Sequence, residues 1–219
     1  MSEPDRQGPL PPLPVRAIAR ALSTIVARAP FLWPPLRRPT QRFWDRTAAS
    51  WDDRIRPGSA EHLAPLAAAC ERLEREPRKV LELGTGTGAG ALMVAQRFPA
   101  AEVWAVDLSE EMIDRARRKV PADVAPRLHF DAADAGALPH GSGTFDLVCQ
   151  LNLPLYAKEI ARVLAPGGYV AIASSRGPRT PYYTPDSVLR RRFEGLGLEV
   201  LDGGSAGDGT YFLARRPRA

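Results

Sequence analysis

Ten consecutive residues constrain this chain more than any other part of it: Lys79-Val80-Leu81-Glu82-Leu83-Gly84-Thr85-Gly86-Thr87-Gly88. An apolar run broken by a single acid reads as a strand of a parallel sheet, covered on both faces. Three glycines at alternate positions then mark a tight turn where the backbone must pass close to another group. Residues 89–97 open a helix whose apolar side is Ala91, Leu92, Val94 and Ala95. A strand, a glycine turn and a helix N-terminus make a ligand cradle: the turn lets the ligand approach and free N–H groups point at it.

Two kinds of ligand use such a turn. The segment Gly84-Thr85-Gly86-Thr87-Gly88-Ala89 satisfies the dinucleotide fingerprint G-x-G-x-x-G/A loosely. Gly88, however, adds a third alternating glycine, and Glu82 sits inside the strand two positions before Gly84. A buried acid is costly without a cationic or hydrogen-bonding partner. It would repel a pyrophosphate and tolerate an aminopropyl-sulfonium group. The segment resembles motif I of the class I S-adenosylmethionine-dependent methyltransferases, E/D-x-G-x-G-x-G. That resemblance implies cofactor contacts from Glu82, Gly84, Thr85, Gly86 and Gly88.

The following residues extend the resemblance in order. Residues 102–107 read as a second strand ending in Asp107, 23 residues after Gly84, and a carboxylate there can accept bonds from both ribose hydroxyls. Ser109 is a good helix N-cap, with Glu110 and Glu111 in the first turn. Residues 106–112 resemble the family's motif II, which places Leu108 and Met112 beside the adenine. After a third strand at 127–131, Asp134-Ala135-Gly136-Ala137-Leu138-Pro139 resembles the family's D-A-x-x-L-P stretch. There Asp134 and the Ala135 amide bond the adenine. A fourth strand, 144–150, carries the family's F-D-x-V pattern and ends in Gln150, also assigned to the cofactor. A helix at about 155–164, the segment Ala165-Pro166-Gly167-Gly168 and a fifth strand at 169–174 complete the match. The implied fold is a Rossmann-like, doubly wound α/β sheet of seven strands in the order 3-2-1-4-5-7-6, mostly parallel with an antiparallel last strand. The implied activity is transfer of a methyl group from S-adenosylmethionine to a small-molecule acceptor.

The 219 residues divide into a basic, proline-rich extension at 1–56 and the motif-bearing domain at 57–219. Ten arginines against five acids in 1–56 supply the whole net charge of +5, so the body is neutral. That weighs against nucleic acid as substrate, since a nucleic-acid enzyme more often carries a basic face on its body. An RNA or protein methyltransferase guided by the basic N-terminus, and a catalytically silent cofactor-binding protein, are the alternatives. No apolar run approaches the roughly 20 residues that span a bilayer. Cys70 and Cys149 show no metal spacing and read as buried, inert thiols. No metal is expected, and the chain reads as cytoplasmic.

Within the extension, residues 1–14 read as extended and 31–35 as a proline-stiffened linker. Residues 15–29 read as an amphipathic helix with Val15, Ile18, Ala19, Leu22, Ile25 and Val26 along one stripe. Packing on its own domain or on a partner is the expected use, and lying on an anionic membrane the alternative. Trp44 and Trp51, seven apart, would share a helix face as core or as a lid over cofactor and acceptor. A helix is expected over 61–76, another up to Glu194 capped by Thr184 or Asp186, and a last pair of strands around a Gly203-Gly204 turn. The catalytic residue is unassigned: His62, His129 and His140 read as structural or exposed. Asn152, Tyr156, Tyr182 and Tyr183 lie in segments able to face an acceptor, whose charged group Arg176 or Arg179 could hold.

Overall fold

The computed structural model describes residues 8–10 and 12–218. Four helices come first: α1 (Leu13–Arg28), α2 (Trp33–Ala48), α3 (Trp51–Ile55) and α4 (Ala60–Glu71). The alternating part follows as β1 (Lys79–Leu83), α5 (Ala89–Arg97), β2 (Glu102–Asp107), α6 (Glu110–Arg118), β3 (Leu128–Ala132), β4 (Phe145–Leu151), α7 (Ala157–Val163) and β5 (Leu164–Ser174). It closes with α8 (Asp186–Glu194), β6 (Glu199–Ala206) and β7 (Gly209–Arg215).

The strands form one seven-stranded sheet in the order β3-β2-β1-β4-β5-β7-β6. The neighbours from β3 to β5 pair parallel, and β7 runs antiparallel to both β5 and β6. This is the expected topology. Successive strand residues point to opposite faces, so β1 sends Val80 into one apolar layer, with Leu66, Val94 and Ile113, and Leu81 and Leu83 into the other, with Ile160, Leu189 and Phe193. Glu82 shares the face of Val80 and lies against α5.

Several boundaries differ from the sequence reading, each for a local reason. Most of residues 1–14 expected to be extended lie outside the described set; residues 8–10 are irregular and α1 already starts at Leu13. The expected linker at 31–35 is a 3-10 turn, Pro30–Leu32, running into α2, whose first turn accepts Pro34 and Pro35 because their missing N–H groups would bond nothing there. The helix expected over 61–76 stops at Glu71, because Pro77 turns Glu76 away from helical backbone and nothing apolar follows Leu73. β5 begins at Leu164: it pairs with Phe145, bulges, and resumes at Tyr169 opposite Leu147, with Gly167 at φ 74° in the bulge. The final hairpin turns at Gly207 and Asp208, while Gly203 and Gly204 lie inside β6 opposite Phe212 and Tyr211. The N-cap of α8 is Pro185 with no side-chain cap, and Asp186 instead pairs with Arg190 one turn on.

Candidate active site

The loops after β1, β2 and β3 meet at the carboxyl edge of the sheet and form the floor of a cavity of about 390 Å³. The N–H groups of Gly84 and Thr85 both donate to the Val106 carbonyl, at 2.8 and 3.0 Å, which ties the glycine turn to β2. Gly84 and Gly86 have φ of 69° and 54°, backbone that favours glycine. Asp107 joins the two loops. Its Oδ2 accepts from the Gly86 N–H at 2.9 Å and its Oδ1 from the Ser109 N–H at 2.9 Å. A carboxylate offers about four lone-pair sites; with the Leu108 N–H as a third backbone donor, about one remains for a hydroxyl in the cavity. Burial pushes the Asp107 carboxyl above its ordinary range, and the N–H groups of Ser109, Gly86 and Leu108 oppose that.

Glu82 borders the same floor from below and is 2% exposed. It accepts from the Thr85 hydroxyl and from the Ala91 N–H. Burial outweighs both bonds and raises its carboxyl to about 7. Its seat depends on Gly90, where a Cβ would stand 1.9 Å from the Glu82 Oε1. Leu108 and Met112 complete this side, with the Met112 N–H capped by the Ser109 hydroxyl at 3.2 Å.

Asp134 and Ala135 also line the cavity. The Asp134 Oδ1 accepts from the Gly136 N–H at 2.8 Å, and its Oδ2 accepts from the Trp33 indole N–H at 2.8 Å. Of the expected cofactor residues, Glu82, Gly84, Thr85, Gly86, Asp107, Leu108, Met112, Asp134 and Ala135 are thus brought together. Gly88 and Gln150 are not on the wall. Gly88 caps α5 at φ 87° and faces away, against the Ala116 Cβ and the Phe130 ring. Gln150 lies beneath the wall, where its Nε2 donates to the Leu153 carbonyl at 2.9 Å while its Oε1 is buried without a hydrogen-bond partner. Gln150 acts through Leu153, which packs on Gly84 so closely that a Cβ there would meet Leu153 at 2.6 Å.

The roof comes from the N-terminal helices. Val15, Ala19 and Leu22 of α1 and Trp33, Phe43 and Trp44 of α2 face the cavity, joined by Trp51 of α3. Trp44 and Trp51 meet edge to face at 5.6 Å although the helix breaks between them, and the Trp51 Nε1 lies 3.6 Å from where a Gly86 Cβ would be. Polar ties fasten roof to floor: Trp33 and Arg37 to Asp134, the latter at 3.9 Å, the Ser109 hydroxyl to Asp45 at 2.6 Å, and the Thr87 hydroxyl to Asp52, which also pairs with Lys119.

The far end is polar. Asn152, at φ 59° just past β4, donates to the Ser175 hydroxyl at 2.9 Å and accepts the Ser175 N–H at 2.9 Å. His62, read from sequence as peripheral, is 8% exposed on the cavity wall, with its Nε2 3.5 Å from the Asn152 amide nitrogen. Burial and Arg176 lower its imidazole to about 4, so it is neutral at physiological pH. The missed signal was topological: a helix preceding a parallel strand starts at the sheet's carboxyl edge, where ligands bind. Tyr156, Tyr182 and Arg176 also reach the cavity; Tyr183 and Arg179 are not on its wall.

Residues 80–168 match a family described as a methyltransferase domain. The chain is 36% identical over 151 residues to a malonyl-[acyl-carrier protein] O-methyltransferase of Halorhodospira halophila, covering 66% of this chain and 50% of that one. It is 43% identical over 107 residues to a demethylmenaquinone methyltransferase of Thermus thermophilus, covering 46% and 48%. The chain spans about half the length of these curated relatives. Among solved structures, a SAM-dependent methyltransferase from Aquifex aeolicus superposes with a TM-score of 0.64 at 22% identity, over 78% of this chain and 97% of that one. A structure described as the [4+2]-cyclase SpnF gives 0.60 at 19%, over 74% and 82%. The structural likenesses establish the fold. Together with the sequence matches and the motifs, they show that this chain carries a class I S-adenosylmethionine-dependent methyltransferase domain.

Proposed function

We propose that the protein transfers a methyl group from S-adenosylmethionine to a small, largely apolar acceptor bearing one polar group. One observation carries this reading: a single cavity runs from the Gly84–Gly86 turn and Asp107, beneath an aromatic roof, to the cluster of His62, Asn152, Ser175 and Arg176. The cofactor, when bound, supplies a methyl group already activated by the sulfonium. The chain's own task is then alignment and exclusion of water. Asp107 offers its remaining acceptor site to a ribose hydroxyl, and Asp134 with the Ala135 amide addresses the adenine. Glu82 places a carboxyl under the amino-acid end of the site, which suits a cation and disfavours a pyrophosphate. The roof shields the transfer path, and the far end orients the acceptor's polar group. Val15, Leu22, Phe43 and Trp44 fit an apolar body. The name of one relative, a demethylmenaquinone methyltransferase, supports an apolar acceptor of this kind. We further infer that residues 1–56 work as a lid on the domain at 57–219. The free, buried thiols of Cys70 and Cys149 support a cytoplasmic setting.

Calorimetry with S-adenosylhomocysteine and with NAD tests the cofactor half. The expected result is binding of the first alone, and NAD binding without the adenosyl ligand would refute the proposal. Mass spectrometry of products from a panel of quinones, phenols and carboxylic acids tests the acceptor half.

A further inference from the structure

Every large hydrophobic side chain exposed among the described residues lies in one short stretch: Leu13 (75% exposed), Ile18 (54%), Phe31 (76%) and Leu32 (44%). The inner face of α1 is occupied, with Ala19 and Val26 buried and Val15, Ala19 and Leu22 on the cavity. Its outer face carries Leu13, Ala17, Ile18 and Ala21, all exposed, together with Arg28 and, at its border, Arg20, whose guanidinium also reaches the Pro178 carbonyl at 3.5 Å. Residues 13–46 contain seven arginines and one acid. We propose that this face docks on an anionic lipid surface, with α1 lying in the interfacial plane.

The charge decides the occupant. A second copy related by a two-fold axis would set the same arginines against one another. An acidic protein would match the arginines but has no need of the exposed leucine, isoleucine and phenylalanine. A bilayer with anionic headgroups takes both: apolar side chains enter the acyl boundary and guanidinium groups meet the phosphates. No helix among the described residues is long and apolar enough to cross a membrane, so the contact is peripheral. If the acceptor is apolar, as the proposed function holds, the helix that roofs its chamber would then rest on the phase where such molecules dissolve. The docking itself stands apart from that reading.

The test is co-sedimentation of the full chain with phosphatidylcholine vesicles with and without phosphatidylglycerol. The protein is expected to sediment with the anionic vesicles only. Leu13→Ser, Ile18→Ser and Phe31→Ser combined should lower the partition coefficient by roughly tenfold or more, since each removes an apolar group from the acyl boundary. Arg20→Gln and Arg28→Gln should each cost about fivefold, and added salt should do the same. None of these side chains lines the cavity, so melting temperature and calorimetric affinity for S-adenosylhomocysteine should match the parent; those readouts separate a failure here from a failure of the proposed function. Absence of vesicle binding, or equal binding by the triple variant, overturns the proposal. So does a dimer or an acidic-protein complex lost in the triple variant while vesicles are ignored.

Discussion

The floor and the roof of the cavity are built in different ways. The floor consists of backbone turns at the ends of adjacent strands, tied by N–H groups to Val106 and Asp107 within one stretch of the chain. In the roof, α2 and α3 are fastened by side chains to partners 35, 64 and 101 residues away, and α1 by the bonds of Arg20 to the Pro178 carbonyl and of Arg192 to the Ala27 carbonyl. Backbone ties leave few alternative geometries, because the glycine turn can close only one way onto β2. Side-chain ties can open one at a time. On the proposed function, the difference would suit the two parts to different work: a preformed cradle for the cofactor below, and a lid above.

The sharpest way to break this comparison is Asp107→Ala. It removes the acceptor of the Gly86, Ser109 and Leu108 N–H groups and the acceptor site left for the ribose. Charge-assisted bonds are worth about 1.5–3 kcal/mol each, so calorimetry should show affinity for S-adenosylhomocysteine lowered on the order of tenfold to a few hundredfold. Asp45→Ala cuts a roof tie instead and should change that affinity less than about fivefold, since a single hydrogen bond contributes roughly 1 kcal/mol net. Equal losses in the two variants would show that roof and floor are one unit. Unchanged affinity in Asp107→Ala, with only a lower melting temperature, would reduce Asp107 to a loop brace.

Gly90→Ala probes how rigid the floor is. The new methyl would stand 1.9 Å from the Glu82 Oε1, which is fixed by Thr85 and the Ala91 N–H. Overpacking of this kind costs about 1–3 kcal/mol, and chemical denaturation should find a loss in that range. A neutral result would mean that the Glu82 side chain moves freely, and that the floor is as adaptable as the roof.

The same contrast explains what could be read from the sequence. The strand order, the glycine turn, Asp107 and Asp134 were legible because each follows from residues close together in the chain and from motifs in a fixed order. Gly88 and Gln150 were misplaced because a motif gives position along the chain and not the direction of a side chain. Gly88 is needed by Ala116 and Phe130, and Gln150 by the Leu153 carbonyl. His62 was missed because only the assembled sheet brings the start of α4 beside Asn152. Trp33 was read as part of a linker because nothing local marks an indole whose partner lies 101 residues on. Ile18 was counted in the inner stripe by spacing alone, yet it sits on the outer face of α1.

Glu82 under the floor and His62 at the cavity's far end are both buried and titratable, and the two act on stability with opposite signs. The Glu82 carboxyl is raised from 4.5 to about 7. The folded state therefore binds more protons than the unfolded one in that interval, and stability falls as pH rises through it. The His62 imidazole is lowered from 6.5 to about 4. There the unfolded state binds more protons, and stability rises with pH between about 4 and 6.5. The parent protein should show a partly cancelled slope across the shared window. Relative to it, Glu82→Gln should make melting temperature rise more steeply with pH, and His62→Gln should make it fall. A Glu82→Gln profile parallel to the parent would show that the carboxyl titrates in its ordinary range and is better hydrated than its burial implies.

The smallest expected effect tests the tie that joins the two regions most directly. The Trp33 indole N–H donates to the Asp134 Oδ2, and the Asp134 side chain is 10% exposed. Trp33→Phe keeps an aromatic ring near Tyr156, where the parent rings meet edge to face at 6.2 Å, and deletes only the donor. Without cofactor, Asp134 is then left with the Gly136 N–H and with Arg37 at 3.9 Å, and stability should fall by about 1 kcal/mol. The family resemblance gives the adenine's amino group to this same carboxylate. If it does bond there, bound S-adenosylhomocysteine replaces the lost donor, and the deficit should shrink in its presence. The variant's melting temperature should therefore rise more on ligand addition than the parent's, with affinity a few-fold tighter, as linkage requires. A tenfold weaker affinity would mean that Trp33 is part of the cofactor's own wall. The donor now on Asp134 would then be a permanent piece of the floor, and not a roof contact standing where the adenine amine binds.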